Sequence, residues 1–539
     1  MKKLILLMTW AVIGAATVGA AESKLWTQYA KAKKSGNETI LPDYTYAGYN
    51  LGKTGIPQAK GKIFDVTKFG ARPNDGKSDF QAVQKAVKAA EANGGGIVLF
   101  PPGRFLFCEK NGYRKGIEIQ GDNIILKGSG SGPEGTEIFM KNYMEPKDPK
   151  KMYSVPALFN FSLSKQRNRR PKLTTIIANA KRETFSVKVA NAQKLKVGEY
   201  VILEMRNPAA NQEFLAGMKT WPIWTTTNKK GVWVRGEKHR IVKIQGNTVT
   251  FAEPIHCNIK AAHGWKVLGA PFGKGWGVED IHFRGNFKLK FKHHKDFIHD
   301  SGWTFISMTR GLFPYVRRCR FTDCSSAAGM GACYGGTIIN CSIEGNQGHC
   351  SFTSGYYSYG NLIAFTVDTI KNGAFHGIAA SAGSVGTVIF NCKNSNRGFD
   401  WHGSWPYCTL IDDCSGGLIG NGGSYKVLPN HMRYLTFWNF KQTAGEVFRN
   451  YDFWEPRRGK GKYSGAKIVK PFIVGYHGKP ATFLAENCEI IESLGKPVSP
   501  KSLYEAQMKL RFGKLPEWIQ ESREQFNFFN KHGYFKTGK

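Results

Sequence analysis

Three histidines recur at nearly even intervals late in the chain. They are Gly348-His349, Phe375-His376-Gly377 and Trp401-His402-Gly403, with spacings of 27 and 26 residues. An imidazole gains and loses a proton near neutral pH, so such a row suits general acid–base chemistry. Asn346, Asn372, Arg397, Asp400, Trp405 and Tyr407 lie around it, with Tyr356, Tyr357 and Tyr359 in the adjoining turn. β-Elimination at a uronic acid needs a neutralised C5 carboxylate, a base for the C5 proton and an acid for the leaving O4. This set supplies all three kinds of group. The reading gives proton transfer to His376 and His402, with Tyr407 as an alternative acid. Arg397, assisted by Asn372 and His349, holds the carboxylate, and Asn346 and Trp405 contact substrate. The competing reading of the row is a purely structural stack of hydrogen-bonded side chains.

Glycoside hydrolysis is the rival reaction and needs two carboxyl groups flanking the bond. Asp412-Asp413 invites it, but Asp413 shares the repeat phase of Asn340 and Asn391, so the pair reads as structural. Asp368 and Asp400 are better placed for hydrolysis. Clustered carboxylates of the kind calcium prefers are lacking, so no cofactor and no metal ligand are assigned. The scattered acids leave room for a single divalent cation such as calcium. A second histidine group, His293-His294 with His299, is flanked by Lys292 and Lys295, which oppose a cation. It is expected at a groove edge or in plain packing before Trp303.

A repeat must position the histidine row. Arg318-Cys319-Arg320, Asn340-Cys341-Ser342, Thr366-Val367-Asp368, Asn391-Cys392-Lys393 and Asp413-Cys414-Ser415 align with core spacings of 22, 26, 25 and 22 residues. Repeats of this period signal stacked units, and coils of a parallel β-helix have this length. Small apolar thiols suit an interior ladder. In-phase coils stacked about 4.8 Å apart would bring the three imidazoles onto one face. Of the eleven cysteines, eight lie in the repeat region, and one or two disulfides remain open, for instance among Cys324, Cys333 and Cys350.

Charge narrows the partner. The chain of 539 residues carries 76 Lys+Arg against 40 Asp+Glu, a net +36. Lys2-Lys3, the apolar run Leu4 to Ala16 and Val18-Gly19-Ala20 have the layout of a secretory signal. An exported basic protein points to an extracellular polyanion rather than nucleic acid. Lys288, Lys290 and Lys292 alternate with apolar residues, as three cations on one face of a strand would. Arg457 and Arg458, with Lys460 and Lys462, form a second basic cluster. Both are expected to contact an acidic polysaccharide.

The segment Phe64 to Phe105 runs from a strand through Pro73-Asn74-Asp75-Gly76 into a helix that Ser78 or Asp79 can cap. Gly94-Gly95-Gly96, the buried strand Ile97-Val98-Leu99-Phe100 and Pro101-Pro102-Gly103 follow. This stretch resembles the opening of the pectate-lyase and polygalacturonase superfamily. The resemblance implies a right-handed parallel β-helix whose N-terminal cap and first coil lie here. More loosely, the basic, His-rich chain resembles bacterial β-helix lyases of sulfated glycosaminoglycans such as chondroitin sulfate.

The expected organisation is all-β. A signal peptide (1–21) and an exposed lead-in (22–60) precede the N-terminal cap, with its capping helix, and first coils (61–172). A small all-β insertion (173–260), the main repeats (261–495) and C-terminal helices acting as a cap (496–539) follow. The expected function is a secreted, periplasmic or cell-surface bacterial lyase of an acidic polysaccharide, a monomer without a membrane span. A glycoside hydrolase and a non-catalytic polysaccharide-binding β-helix are the alternatives.

Overall fold

The computed structural model describes residues 20–395, 398–417, 419–421, 423–455 and 466–538. The apolar run read as a secretory signal lies outside the described residues.

Three parallel sheets wind around one interior. A twelve-stranded sheet runs from Ile63–Asp65 to Ile490–Glu492, and six- and eight-stranded sheets complete the coils. Register carries one apolar residue of each coil into a continuous stack: Val278, Val316, Ile338, Ile363, Ile389, Ile411, Phe437 and Ile473. Each buried aliphatic side chain contributes roughly 1.5–3 kcal/mol, and parallel strands covered on both faces need little polar alternation. The chain is a parallel β-helix.

The repeated Asx-Cys pair has a backbone cause. A left-handed residue follows six successive strands of the long sheet, at Arg318, Asn340, Phe365, Asn391, Asp413 and Asn439, with φ between 48 and 52°. Asn and Asp tolerate this conformation best. The next residue points inward, which places Cys319, Cys341, Cys392 and Cys414 in the core. In the coil that lacks Cys, the equivalent residue is Thr366, not Val367. Ser342 pairs with Val367, and the Thr366 hydroxyl lies 3.2 Å from Cys392 Sγ. All eleven cysteines are free thiols, so the bridges left open above do not form.

The helix Phe80–Ala92 buries Phe80, Val83, Ala86, Val87 and Ala90 against the first coils. Asp79 does not cap it through its side chain. Its carboxylate instead accepts the Arg72 and Leu106 amides at 2.9 and 2.8 Å.

A seven-stranded antiparallel sheet spans Lys172–Thr175 to Lys266–Gly269, reaching past residue 260. It packs on the corner after the eight-stranded sheet, where His256 stacks on Tyr359 and Tyr359 on Tyr334.

Two expectations are corrected. Residues 22–60 are not an exposed lead-in, because Leu25, Tyr29, Leu41, Tyr44 and Ala47 are buried. The C-terminal helices Leu503–Phe512 and Glu517–His532 do not close an open end. They run as a strap along the long sheet, with Tyr504 against Phe390, Phe526 against Phe365, and the Ser522 carbonyl accepting from Asn340. Their apolar faces meet the outward aromatics of that sheet, which the repeat pattern alone does not reveal.

Candidate active site

Strand alternation builds the centre of the site. In Phe399–Trp401 the two aromatic residues enter the core, so Asp400 between them faces outward. His402, two residues later, shares its side. Asp400 Oδ2 accepts from His402 Nδ1 at 2.7 Å, and Asp400 Oδ1 lies 3.2 Å from His376 Nδ1. One buried carboxylate therefore hydrogen-bonds one imidazole and lies against a second. Burial alone would raise the Asp400 pKa, but the two imidazoles outweigh it and hold it down at about 2. Burial lowers the pKa of His402, but Asp400 more than compensates, so it stands above the usual imidazole value.

The row continues through the neighbouring coils. His376 lies 4.6 Å from His402 and 4.7 Å from His349, ring centre to ring centre. Their backbones are in register, with the His376 amide donating to the His349 carbonyl at 2.8 Å. The Asp300 carbonyl accepts from His349 Nδ1 at 2.9 Å.

The second histidine group joins the first. Residues 285–296 form an irregular loop across the coils rather than a strand. It brings His293 within 5.0 Å of His376 and 5.3 Å of His349. His293 stacks on Phe375 at 4.3 Å. Burial, then neighbouring imidazoles, pull His293 down to about 4 and His349 to about 3. Both are neutral at physiological pH. Tyr153 stacks over His349 at 6.2 Å and donates to the Asp300 carboxylate at 3.0 Å. Burial and that carboxylate push its phenol well above the usual range. The sequence reading left Tyr153 out, and it kept His293 apart from the row. Both come from distant loops without a repeat phase to mark them.

Other expected site residues stand elsewhere. Tyr407 is buried and donates to Glu237 of the insertion at 2.7 Å. Trp405 is buried and donates to Thr227 Oγ1 at 3.0 Å. Both follow the corner where the chain turns under the insertion, so neither meets the histidines or an open surface. The Asn346 amide donates to the Phe287 and Leu289 carbonyls, tying down the loop rather than facing a ligand. Asn372 is exposed in the turn after Asp368. Asp368 accepts the Ile370 and Ala374 amides, and burial raises it to about 6. Lys288 pairs with Asp323, while Lys290 and Lys292 are exposed on the loop that carries His293. With no strand there, the three cations do not share a strand face. Asp412 accepts from Ser502, Leu503 and Tyr504, and Asp413 lies 3.3 Å from Lys501, so this pair anchors the strap. Arg397, Arg457 and Arg458 lie outside the described residues.

A basic cavity of about 390 Å³ opens at the far end of the same eight-stranded sheet. Arg170, Arg235, Lys238 and Arg310 line it with Tyr356 and Tyr357. Burial, then Arg310, pulls Lys238 down to about 7. Strand Cys350–Gly355 starts beside His349 and ends beside Tyr356, so the cavity and the histidines are roughly 17 Å apart along it.

No curated protein matches the chain. Among solved structures, the tailspike protein gp49 from Pseudomonas phage LKA1 is 14% identical. The match covers 75% of this chain and 68% of that one, with a TM-score of 0.42. The Azotobacter vinelandii mannuronan C-5 epimerase AlgE6 A-module is 12% identical over 81% and 96%, with a TM-score of 0.31. An exopolygalacturonase from Thermotoga maritima is 11% identical over 80% and 90%, with a TM-score of 0.28. Residues 373–522 match a domain of unknown function, DUF4955. Residues 63–350, more than half of the chain, match the model described as rhamnogalacturonase A/epimerase, pectate lyase-like. The coiled parallel sheets and this match lead to one conclusion: the chain belongs to the rhamnogalacturonase A/epimerase, pectate lyase-like family.

Proposed function

We propose that this protein is an exported lyase that cleaves an acidic, uronate-containing polysaccharide by β-elimination, with a sulfated glycosaminoglycan such as chondroitin sulfate as the best candidate. The observation that carries the reading is the buried Asp400 carboxylate, hydrogen-bonded to His402 and lying against His376. A carboxylate on Nδ1 fixes the tautomer, leaving Nε2 to take a proton. His402, the more open of the two, with its side chain 33% exposed, is the base for the C5 proton. The electron pair forms the C4–C5 double bond as the C4–O4 bond breaks. The leaving O4 then takes a proton, for which Tyr153 replaces Tyr407 as the phenol of this site. Net charge and the exposed Lys290 and Lys292 favour an anionic chain. Hydrolysis has less support, because Asp368, Asp412 and Asp413 are committed to backbone amides or the strap and Asp400 to the imidazoles.

The test is a panel of chondroitin sulfates, dermatan sulfate, hyaluronan, heparin, alginate, ulvan and polygalacturonate, read by ultraviolet absorbance of the unsaturated uronide. A rise on one polymer, abolished by His402→Ala, is expected. New reducing ends without absorbance would replace the reading by hydrolysis, and silence in both assays would favour a binding protein.

A further inference from the structure

The histidine cluster has a geometry that proton transfer does not require. His293 Nε2 and His376 Nε2 face each other at 3.2 Å. Two imidazoles bound to one tetrahedral zinc, with bonds of 2.0–2.1 Å, place their nitrogens about 3.3 Å apart. His349 completes a trio whose ligand atoms all lie within 4.8 Å of one another.

The surroundings of the trio match the outer partners of metal ligands. A metal-bound imidazole usually gives its other nitrogen to a carboxylate or a backbone carbonyl, which fixes the ring and its tautomer. His349 Nδ1 donates to the Asp300 carbonyl, and His376 Nδ1 lies beside Asp400. His349 Nε2 is then a buried acceptor, and it has no hydrogen-bond partner among the described residues. Phe291 and Phe375 wall the cluster beside His293. Lys292 and Lys295 flank the ligand in sequence, yet both are exposed.

We propose that His293, His349 and His376 bind a transition-metal ion of the zinc type through three imidazole nitrogens, with a fourth position open to substrate. Three nitrogen donors favour zinc, cobalt or nickel over calcium and magnesium. The site stands on its own geometry. Its use, as the positive charge that neutralises the C5 carboxylate, rests on the lyase reading above.

The test uses the full chain, stripped with a chelator and titrated with zinc, cobalt and calcium by calorimetry. One equivalent of zinc is expected, with a rise in melting temperature and no calcium binding. Cobalt should give the intense visible bands of tetrahedral nitrogen coordination in the unmutated protein. His349→Ala should abolish binding, and Asp400→Asn should weaken it about 10- to 100-fold. His349→Gln, which keeps the bulk, should also abolish it if the alanine variant fails to fold. His402→Ala should still bind zinc while losing turnover, which separates failure of the metal site from failure of the lyase reading. Absence of stoichiometric zinc binding, a weak octahedral cobalt spectrum, or affinity unchanged in His349→Gln would each overturn the proposal.

Discussion

Asp400 carries more of the site than any single histidine, because it hydrogen-bonds His402 and sets a negative charge against His376. Asp400→Asn keeps the shape but offers an amide where an acceptor is needed. Turnover is expected to fall by about 10²- to 10⁴-fold, measured as initial rate on the substrate that the polysaccharide panel identifies. Tyr407→Phe is the contrasting case. It removes a hydrogen bond to the buried Glu237 carboxylate, so it should cost about 1–3 kcal/mol of stability in a denaturant titration and leave turnover near its starting value. The contrast shows what the sequence could convey. Nearly equal spacing exposed His349, His376 and His402 and set Asp400 near the row, but it did not show that this carboxylate meets two of the rings. Tyr407 lies only five residues beyond His402, but the chain turns a corner between them, and proximity in sequence stopped meaning proximity in space. His293 is 83 residues from His376, and no period connects them.

Among the elements, the coils, the all-β insertion and the C-terminal helices were legible, and what the lead-in and those helices cover was not. The Asx-Cys period followed from a one-residue left-handed turn, so a local backbone rule wrote itself into the sequence many times. The coil with Phe365-Thr366 broke the spelling and kept the geometry, which is why Val367 drew the alignment one residue off. The strap and the lead-in have ordinary amphipathic composition, and what they cover depends on outward aromatics that no periodicity identifies. The insertion makes a testable demand through its strand Lys238–Gln245. Lys238 is buried and donates to the Tyr357 carbonyl. Its pKa of about 7 lies below the roughly 10.4 of an unfolded lysine. Between those values the unfolded chain binds a proton that the folded chain does not, so this group makes stability rise with pH there and fall as pH drops through 7. Lys238→Met should flatten that slope, measured as melting temperature across pH 7 to 10.

For the whole molecule, the two chain ends cross over the coils in opposite directions. The strap carries Gly538 back to Asp280, near the early coils. At the other end, Glu492 of the last strand accepts the Ser23 hydroxyl and the Lys24 and Leu25 amides, at 2.9, 2.7 and 3.3 Å. Stacked coils with only neighbour contacts can unfold piecemeal. These long ties should make the first and last coils unfold together. A single transition by fluorescence and circular dichroism is expected, and Glu492→Ala should split it or lower its midpoint by several degrees. The ties also set an order of events. Ser23 and Glu492 are 469 residues apart, and contacts of such separation form late. Until the last coil exists, the Ser23 hydroxyl and the Lys24 and Leu25 amides lack their Glu492 acceptor, although Lys33 can already pair with Asp43. The clasp thus acts as a mark of completion: a chain interrupted short of Glu492 leaves the first turn of the helix Lys24–Lys34 without its carboxylate and free to fray.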